Sequence, residues 1–575
     1  MVESGDSSMF LILQRARMKN DHDEQIWTSY IDRQQQQQKA VPMMHVRPFQ
    51  HNARLLYSVI QNDFTKLRTQ LKYQNYILLK STKSNIWYIC HTHVIDEKFS
   101  EYMLQTKAYV EIENLNLPNR QGKVQQLLNT MVNEIETLLK DLCHHQLITR
   151  FQYNQMNIRY SSVRLDYMLF NPDTCQQEQI IFEPMTISTI NPLMPICRYL
   201  HRLLAPIYYN HVAYQMTVVK GADLVPRLEH YQQQGYLKST TYFVSLHIKN
   251  SYTSITHSQL LNTLKCFFDD FVMEETIEGM NTMAILKLTE FLLQHQYFIH
   301  QNHIYQQISG GGTGLYLIEL LIDIYLFYWQ QPLLLYQNQH ELFVRCFSDL
   351  FLTWNEPEEK LHEILNDMKK NNSYLQYDIN IQTEHIHYLD VQIHHWHKQT
   401  LQTEIYHDWK YEPYILPTIY DSSTFFPWNL IQTALIRAVL CCSQIEDFEN
   451  EQQYIEYSFL FNRFSFEFIR QNIQNFFIYF KVFDLMIYHD QTTYDELRRH
   501  VRQYDQEKKQ EKMKHREEGQ KQCIWYIYST LKRQALARAK QNPKQLLPSF
   551  LYDDENLSGM TIEVVGLPDY PFGTS

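Results

Sequence analysis

The sequence predicts an α+β fold that is rich in helix and contains an antiparallel sheet. Apolar residues recur with helical spacing over residues 124–147 and 257–271, which predicts amphipathic helices. Residues 342–354 (LFVRCFSDLFLTW) carry two apolar arms around a short polar turn, which predicts a strand-turn-strand unit. Because so short a connection joins only antiparallel strands, we expect an antiparallel sheet.

The elements follow one another in a mixed order. Residues 1–49 are expected to form a polar low-complexity tail, since they include five consecutive glutamines and cannot pack a core. The predicted elements after it are two strands around a polar turn at 75–91, a helix at 124–147, a strand at 242–248, a helix at 257–271, a helix at 314–331, the hairpin at 342–354, a helix at 357–370, one alternating strand at 386–394, and mostly helix after about 425.

The most apolar segment lies at residues 315–335. It carries Glu319 and Asp323 in its middle. Carboxylates at bilayer depth are costly, so we expect a buried helix here rather than a membrane span.

Composition excludes several classes of protein. With 575 residues, 44% of them hydrophobic, the chain has enough apolar material for several cores, roughly three or four domains. The 13 glycines and nine scattered cysteines, with no C-x-x-C pair, exclude collagen-like and disulfide-scaffold proteins. Such thiols are typical of a reducing compartment, so an intracellular location, nuclear or cytoplasmic, is expected. The acidic N-terminus does not predict a signal peptide.

Charge is distributed unevenly along the chain. The net charge is -11, from 52 basic and 63 acidic residues, but residues 498–544 hold 14 Lys and Arg against five Asp and Glu. This +9 stretch is the best candidate for contact with nucleic acid. The alternative is a solvated helix with i,i+4 pairs, such as Asp505 with Lys509 and Glu517 with Lys521.

Three segments carry a resemblance to a known family. They are SLHIKNSYTSITH at 245–257, QISGGGTGLY at 307–316 and RCFSDLF at 345–351. Together with the order strand, helix, glycine turn, long helix, acidic hairpin, helix and strand, they resemble the palm of a reverse transcriptase, specifically of the Penelope-like group of retroelements. The resemblance extends from about residue 70 to about residue 475.

The resemblance implies a right-hand polymerase fold, with fingers, palm and thumb. No GIY-YIG nuclease segment of the kind that follows the thumb in many members is found. The expected regions are an N-terminal tail at 1–49, fingers at 50–235, palm at 236–397, thumb at 398–485, a basic helical extension at 486–545 and a C-terminal tail at 546–575.

The resemblance also places the catalytic positions. The family's first palm strand reads T-L-D-V-x-S-L-Y, and His247 stands where that motif has its metal-binding Asp. The family's hairpin reads R-Y-x-D-D-x-F, and here Ser348 replaces the first Asp while Asp349 remains.

By the same resemblance, a second group of residues would bind template and incoming nucleotide. One departure weakens this set, because Glu183 replaces an Arg of the family and would repel phosphates. The expected binding residues are Lys80, Lys83, Arg164, Gln307, Gly310 and Gly314.

The chemistry of nucleotide addition sets a test for these residues. It uses two Mg2+ ions, which prefer oxygen ligands in octahedral geometry. Losing one metal carboxylate slows the reaction on the order of a thousandfold or more. With His247 and Ser348 in place of two carboxylates, we expect no intact metal site, no cofactor and no polymerase activity, with Mg2+ relevant only to residual activity.

Two local patterns have ordinary alternatives. The glycines at 310–314 lack the Lys-Ser/Thr of a phosphate-binding loop and favour a tight turn into a helix. Histidines at 385, 387, 394, 395 and 397 have metal-like spacing but lack Cys or Glu partners at set distances, which favours strand-face histidines. A hydrogen bond between His247 and Asp349 in place of the metal is also left open.

Three functions remain open from the sequence. The first is an inactive reverse transcriptase that retains its fold to bind nucleic acid or act as a scaffold, with RNA or an RNA–DNA hybrid as partner. The second is an active RNA-directed DNA polymerase that recruits carboxylates from elsewhere. The third is a protein-interaction module without a nucleic-acid role, which the overall charge of -11 favours.

Overall fold

The computed structural model describes most of the chain after residue 64. The described residues are 65–81, 87–115, 120–158, 163–172, 182–188, 190–336, 340–371, 374–396, 400–408, 427–462, 464–482 and 490–521, with short strands at 525–526 and 564–565. The chain divides into two compact units, Met1–Ile473 and Gln474–Ser575. The predicted N-terminal tail and most of the predicted C-terminal tail lie outside the described residues.

Helices and strands alternate in the first unit. Its helices are α1 (Thr92–Thr106), α2 (Arg120–His144), α3 (Arg150–Met156), α4 (Met194–Pro206), α5 (Val225–Gln233), α6 (Ser251–Ser254), α7 (His257–Phe271), α8 (Thr282–Gln294), α9 (Tyr316–Trp329), α10 (Gln331–Tyr336), α11 (Glu358–Asn371), α12 (Pro427–Cys441) and α13 (Ile445–Phe461). Its strands are β1 (Tyr76–Lys80), β2 (Trp87–His91), β3 (Tyr109–Asn114), β4 (Asp166–Pro172), β5 (Phe182–Ile187), β6 (Tyr242–Lys249), β7 (Thr276–Ile277), β8 (Met280–Asn281), β9 (Tyr297–His300), β10 (His303–Gln307), β11 (Phe343–Cys346), β12 (Asp349–Trp354), β13 (Gln376–Gln382), β14 (His385–Tyr388), β15 (Val391–Trp396) and β16 (Thr400–Ile405).

A four-stranded antiparallel sheet of order β11-β12-β6-β13 lies at the centre of the predicted palm. Strand β6 is a central strand, bonded to β12 on one side and β13 on the other. Its side chains alternate, so Val244, Leu246 and Ile248 enter the main core, while His247 lies on the opposite face, which also carries the buried Phe243. The predicted hairpin at 342–354 is confirmed as β11 and β12, joined by a turn in which Phe347 has φ +50°.

A second, five-stranded sheet has the order β3-β10-β9-β4-β5. Its pairs are antiparallel except for β4 with β9. Two strands of this sheet end next to the glycine segment at 310–314. Strand β10 ends at Gln307 on one side of it, and strand β5 ends at Ile187 on the other.

A third sheet corrects one prediction. The single alternating strand expected at 386–394 is two strands, β14 and β15, which pair antiparallel and continue to β16. They are joined at Leu389, whose φ is +52°. Leucine is not one of the residues, such as Gly or Asn, that indicate a left-handed turn in a sequence. The alternating pattern therefore predicted one continuous strand across Leu389.

Helix α9 forms the middle of the main core, because ten of its 14 side chains are buried. It packs against α7 and α4. Helix α7 begins at a capping box, in which the Thr256 hydroxyl accepts from the backbone N–H of Gln259 while the Gln259 side chain accepts from that of Thr256. None of the helices in the described part of the chain combines the length and apolarity needed to cross a bilayer.

Helix α14 (Phe466–Tyr479) spans the boundary between the two units. The second unit contains α15 (Gln491–Lys521) and a parallel pair of two-residue strands, β17 (Trp525–Tyr526) and β18 (Val564–Val565). Helix α15 lies within the region 486–545, for which the sequence predicts a basic helical extension. The rest of the predicted basic stretch, apart from β17, lies outside the described residues.

Candidate functional site

His247 and Asp349 lie directly opposite each other on neighbouring strands. The register of β6 and β12 pairs these two residues, and their side chains therefore share one face of the sheet. The Nδ1 atom of His247 is 2.7 Å from Oδ1 of Asp349, so the hydrogen bond left open by the sequence is present. Both side chains are about half exposed to solvent.

A second carboxylate lies on the other side of His247. Strand β13 places Asp378 opposite His247, so the three residues form a row across the sheet in the order Asp349, His247, Asp378. Lys249 forms an ion pair with Asp378 at 2.7 Å. Sequence reasoning missed Asp378, because β13 joins the row only through a pairing that no local motif indicates.

The electrostatics of this row favour a protonated imidazole. The hydrogen bond to Asp349 raises the pKa of His247 above its usual value, and the negative charges of Asp349 and Asp378 act in the same direction. Partial burial and the charge of Lys249 lower the pKa and oppose this effect in part. A protonated His247 donates its Nδ1–H to the carboxylate and neutralises it.

Ser348 lies next to this pair but takes part in a different interaction. It is buried, and its Oγ is 3.2 Å from Oγ of Ser251, the first residue of α6. Its carbonyl oxygen accepts a hydrogen bond from the backbone N–H of Ile248. The backbone of Asp349 is fixed too, because its carbonyl oxygen accepts a hydrogen bond from the Tyr388 hydroxyl at 2.9 Å. The hairpin turn is therefore fixed by internal hydrogen bonds.

A buried ion pair anchors the same hairpin to the core. Arg345 donates from Nη1 to Oδ1 of Asp323 at 2.6 Å and to the carbonyl oxygen of Phe347 at 2.8 Å. The hydroxyls of Tyr208 and Tyr209 complete the network by donating to the Asp323 carbonyl and carboxylate oxygens. The sequence contained a signal for this pair, since a carboxylate inside the most apolar helix requires a partner.

The glycine turn packs closely against α6, which also contacts the hairpin. Gly310 has φ +69°, and a Cβ atom there would overlap the carbonyl oxygen of Tyr252. The buried Gln307 side chain donates to the carbonyl oxygens of Tyr252 and Ser309, each at 3.0 Å. On the other side, the Tyr252 ring lies 5.3 Å from the Phe347 ring of the hairpin turn. Helix α6 therefore connects the glycine turn with the hairpin.

Gly314 is required for another close approach. A Cβ atom there would lie 2.6 Å from the carbonyl oxygen of Thr186 at the end of β5. In this structure, Gln307, Gly310 and Gly314 thus serve internal packing, and a role in nucleotide binding stays a prediction for all three. No phosphate-binding loop is needed to explain the run of glycines.

The remaining expected binding residues lie on other elements. Lys80 ends β1, and its Nζ is 5.6 Å from the centre of the Trp87 ring. Arg164 precedes β4, and its backbone N–H donates to the carbonyl oxygen of Ile190. Lys83 lies outside the described residues. The structure thus brings His247, Ser348 and Asp349 together, with the glycine turn next to them across α6.

The described residues do not fit a two-magnesium centre. Among them, no group of three or more His, Cys, Asp or Glu side chains is arranged to hold a metal ion. Of the carboxylates near the hairpin, Asp349 is bonded to His247, Asp378 to Lys249 and Asp323 to Arg345. An imidazole is also a poor ligand for Mg2+.

In the second unit, the described part of the basic helix carries internal ion pairs. Lys508 pairs with Glu511 at 2.7 Å, and Lys509 with Asp505 at 2.9 Å. The Asp505–Lys509 pair was expected from the sequence, whereas the side chains of Glu517 and Lys521 lie outside the described residues. A solvated helix and a nucleic-acid contact both remain compatible with α15.

Comparison with known proteins identifies the fold. No protein-family model matches the sequence, and no curated protein matches it either. Among solved structures, telomerase from Candida albicans, determined with a TWJ fragment of telomeric RNA, matches with a TM-score of 0.51 at 10% sequence identity, over 80% of this chain and 75% of that one.

Two weaker structural matches have TM-scores below 0.5. Apo telomerase from Candida Tropicalis gives 0.43 at 10% identity, over 84% of this chain and 82% of that one. The BmCPV RNA-dependent RNA polymerase at its elongation state gives 0.32 at 9% identity, over 63% of this chain and 32% of that one. The match to Candida albicans telomerase establishes the fold of this chain as the α+β, helix-rich right-hand polymerase fold with an antiparallel palm sheet.

Proposed function

We propose that this chain is a degenerate member of the Penelope-like reverse transcriptases that has lost polymerase activity and retains its fold to bind nucleic acid or to act as a scaffold. The polymerase fold supports the assignment to reverse-transcriptase-like proteins. The motifs at 245–257, 307–316 and 345–351 support the assignment to the Penelope-like group.

The observation that supports the loss of polymerase activity is the hydrogen bond between His247 Nδ1 and Asp349 Oδ1 at 2.7 Å. A two-metal centre needs carboxylate oxygens that bridge both ions. Here an imidazole binds the Oδ1 atom of Asp349 and, when protonated, supplies the positive charge that a metal ion would supply. A divalent ion would have to displace this charge-assisted hydrogen bond to reach Asp349, and the other carboxylate of the row, Asp378, already pairs with Lys249.

The fold supports a role in binding RNA or an RNA–DNA hybrid. The telomerase of Candida albicans was determined with RNA, and by analogy we assign RNA to this chain as its ligand class. The charge of α15 and its continuation would bind phosphates, in which case affinity falls with rising salt concentration.

Primer extension tests the loss of activity. With Mg2+ or Mn2+ and an RNA template, the full chain is expected to incorporate no nucleotide above a mock preparation. Incorporation that disappears in Asp349→Ala would overturn the proposal, and loss in Asp378→Ala as well would identify a recruited carboxylate. Asp367→Ala is the matched control, because Asp367 is an exposed carboxylate paired with Lys370 on α11.

A salt-dependent binding assay tests the nucleic-acid role. Fluorescence anisotropy with a labelled RNA–DNA hybrid should show binding at about 50 mM salt that weakens steeply by about 200 mM. Changing Arg499, Lys508 and Lys509 to Gln should reduce the salt slope by up to about three, if each contacts one phosphate. Changing Lys98, Lys140 and Lys370, which pair with neighbouring carboxylates in the first unit, alters net charge equally and serves as the control.

The absence of binding at low salt would remove the nucleic-acid form of the proposal. The acidic net charge of -11 would then favour the remaining alternative, a module that binds other proteins.

A further inference from the structure

The outer face of the β14-β15-β16 sheet brings two histidines and a glutamate together. Strands β14 and β15 place His385 directly opposite His394. Glu404 lies on β16, next to His394, although the residue directly opposite His394 in the register is Gln402. Residues opposite one another in an antiparallel sheet share a face, so the two imidazoles meet above the strands. Their neighbours Ile386 and Ile393 point the other way and are buried.

The hydrogen bonds of these three residues form a chain. His394 Nε2 is 2.9 Å from Oε1 of Glu404, and His394 Nδ1 is 3.0 Å from His385 Nδ1. An ionised carboxylate only accepts hydrogen bonds, so Nε2 of His394 carries the proton. The Nδ1 atom of a neutral His394 therefore holds a lone pair, and His385 donates to it.

We infer that the Nδ1 atoms of His385 and His394 form a binding site for a divalent transition-metal ion, with Cu2+ or Ni2+ preferred over Zn2+. Two protein nitrogens bind the ion, and water molecules occupy its other positions. Binding moves the proton of His385 from Nδ1 to Nε2 through solvent, and both rings turn so that their Nδ1 lone pairs converge on the ion. This site is separate from the His247–Asp349 pair and does not depend on the proposed function.

The spacing of the two nitrogens allows both to bind one ion. Imidazole nitrogens bind such ions at about 2.0 Å, so two of them lie about 2.8 Å apart at an angle of about 90° and about 3.3 Å apart at the tetrahedral angle. The observed 3.0 Å lies between these values, nearer to the 90° arrangement that tetragonal Cu2+ and Ni2+ favour. For Cu2+, the general order of affinity for nitrogen ligands adds to the preference over Zn2+.

Glu404 has the position of an outer-sphere partner in a metal site. Metal-bound histidines usually donate the other ring N–H to a carboxylate, which fixes the ring and increases its basicity. His394 already makes this hydrogen bond without metal, so half of the site is organised in advance. His385 is exposed, which gives an ion access from solvent.

A two-ligand site also agrees with the absence of larger clusters. No group of three or more metal-binding side chains occurs among the described residues, so a high-affinity structural centre is not expected there. We expect a dissociation constant in the micromolar range or weaker.

Electron paramagnetic resonance of the full chain with less than one equivalent of Cu2+ tests the inference. The spectrum should show tetragonal Cu2+ with hyperfine coupling to two imidazole nitrogens, and calorimetry should show matching binding. The double variant His385→Ala with His394→Ala should lose the two-nitrogen signal and bind Cu2+ at least tenfold more weakly. Glu404→Gln should weaken binding about tenfold while it keeps both nitrogens.

His387→Ala is the matched control, because His387 lies on the same face of β14 but stacks on the Tyr406 ring. It should leave affinity and spectrum unchanged, and circular dichroism should confirm that every variant is folded. An unchanged spectrum and affinity in the double variant would overturn the inference, as would equal losses in His387→Ala.

Discussion

Two cation–carboxylate pairs meet at the β11–β12 hairpin and differ in their burial. His247 and Asp349 leave 55% and 42% of their side chains exposed, whereas Arg345 and Asp323 leave 3% and 7% exposed. The exposed pair occupies the positions at which the resemblance expects metal chemistry, and the buried pair joins the hairpin to α9. Under the proposed function, the same kind of interaction replaces a reaction centre on one side of the hairpin, and it maintains the architecture on the other.

The difference in burial would explain how this chain, if it has lost polymerase activity as proposed, keeps the polymerase fold. Exposed ion pairs contribute little to stability because water screens them, so residues at the exposed site can change at low cost. A buried pair is costly to break, because the remaining charge stays in an apolar environment. The hairpin geometry thus depends on Arg345 and Asp323 more than on the residue at 247.

The largest effect is expected from breaking the buried pair. Arg345→Met should lower the free energy of unfolding by about 3–5 kcal/mol, because Asp323 would remain buried and charged without its cation. Urea denaturation followed by tryptophan fluorescence measures this loss.

A double-mutant cycle separates the charge from the packing. Arg345→Met with Asp323→Leu should lose less than the sum of the two single variants, since neither charge remains unpaired. Additive losses would contradict the view that the two residues act as one unit. The double variant should still be less stable than the wild-type chain, because the Tyr209 hydroxyl would lose its acceptor on Asp323.

A buried carboxylate without a cation partner is expected to show the next largest effect. Burial raises the pKa of Asp166 from 3.8 to about 6, although the Ser188 hydroxyl donates to it at 2.6 Å and lowers the pKa in part. The folded state then binds more protons than the unfolded chain between these pH values. The free energy of unfolding should therefore fall by roughly 3 kcal/mol as pH rises from about 3.8 to about 6.

Asp166→Asn should abolish this pH dependence and stabilise the protein at pH 7. Urea midpoints measured at several pH values between 4 and 7 test it. Asp367→Asn is the control, because that exposed carboxylate pairs with Lys370 and should leave the slope unchanged. A slope that persists in Asp166→Asn would assign the pH dependence to other groups.

The parts of the fold that the sequence predicted correctly are those with local signals. Helix α7 was predicted at 257–271 and has these bounds, because Thr256 and Gln259 form a capping box next to regular apolar spacing. The hairpin at 342–354 was confirmed because its apolar arms flank a short polar turn. Such patterns depend only on residues a few positions apart.

Features that depend on distant residues could not be predicted. The turn between β14 and β15 consists of Leu389 and Asp390, and the left-handed conformation falls on the leucine, so it must come from the pairing of the two strands rather than from local propensity. Asp378 reaches the site only through the register of β13 with β6. The sequence placed His247 near Asp349 by resemblance, but the row of alternating charges across three strands required the sheet order.

The smallest effect is expected at the exposed pair. Because its hydrogen bond to Asp349 raises the pKa of His247, this pair's contribution to stability is fully present below the unfolded pKa of about 6.5 and is lost as pH rises through the folded value. Screening by solvent limits that contribution to about 1 kcal/mol or less. His247→Gln should therefore change the urea midpoint only slightly, and mainly at pH 5.5 rather than at pH 8.5.

The titration of the imidazole is the sharper measurement, since it reports the pair directly. The NMR signal of the His247 imidazole is identified by its absence in His247→Gln. The midpoint of its titration should lie above pH 6.5 in the wild-type chain. In Asp349→Asn the midpoint should fall, because the first cause of the raised pKa is removed and only the charge of Asp378 still favours protonation. An unchanged midpoint would mean that the imidazole does not supply the charge that a metal ion supplies in an active enzyme, and the exposed pair would then be an ordinary surface contact.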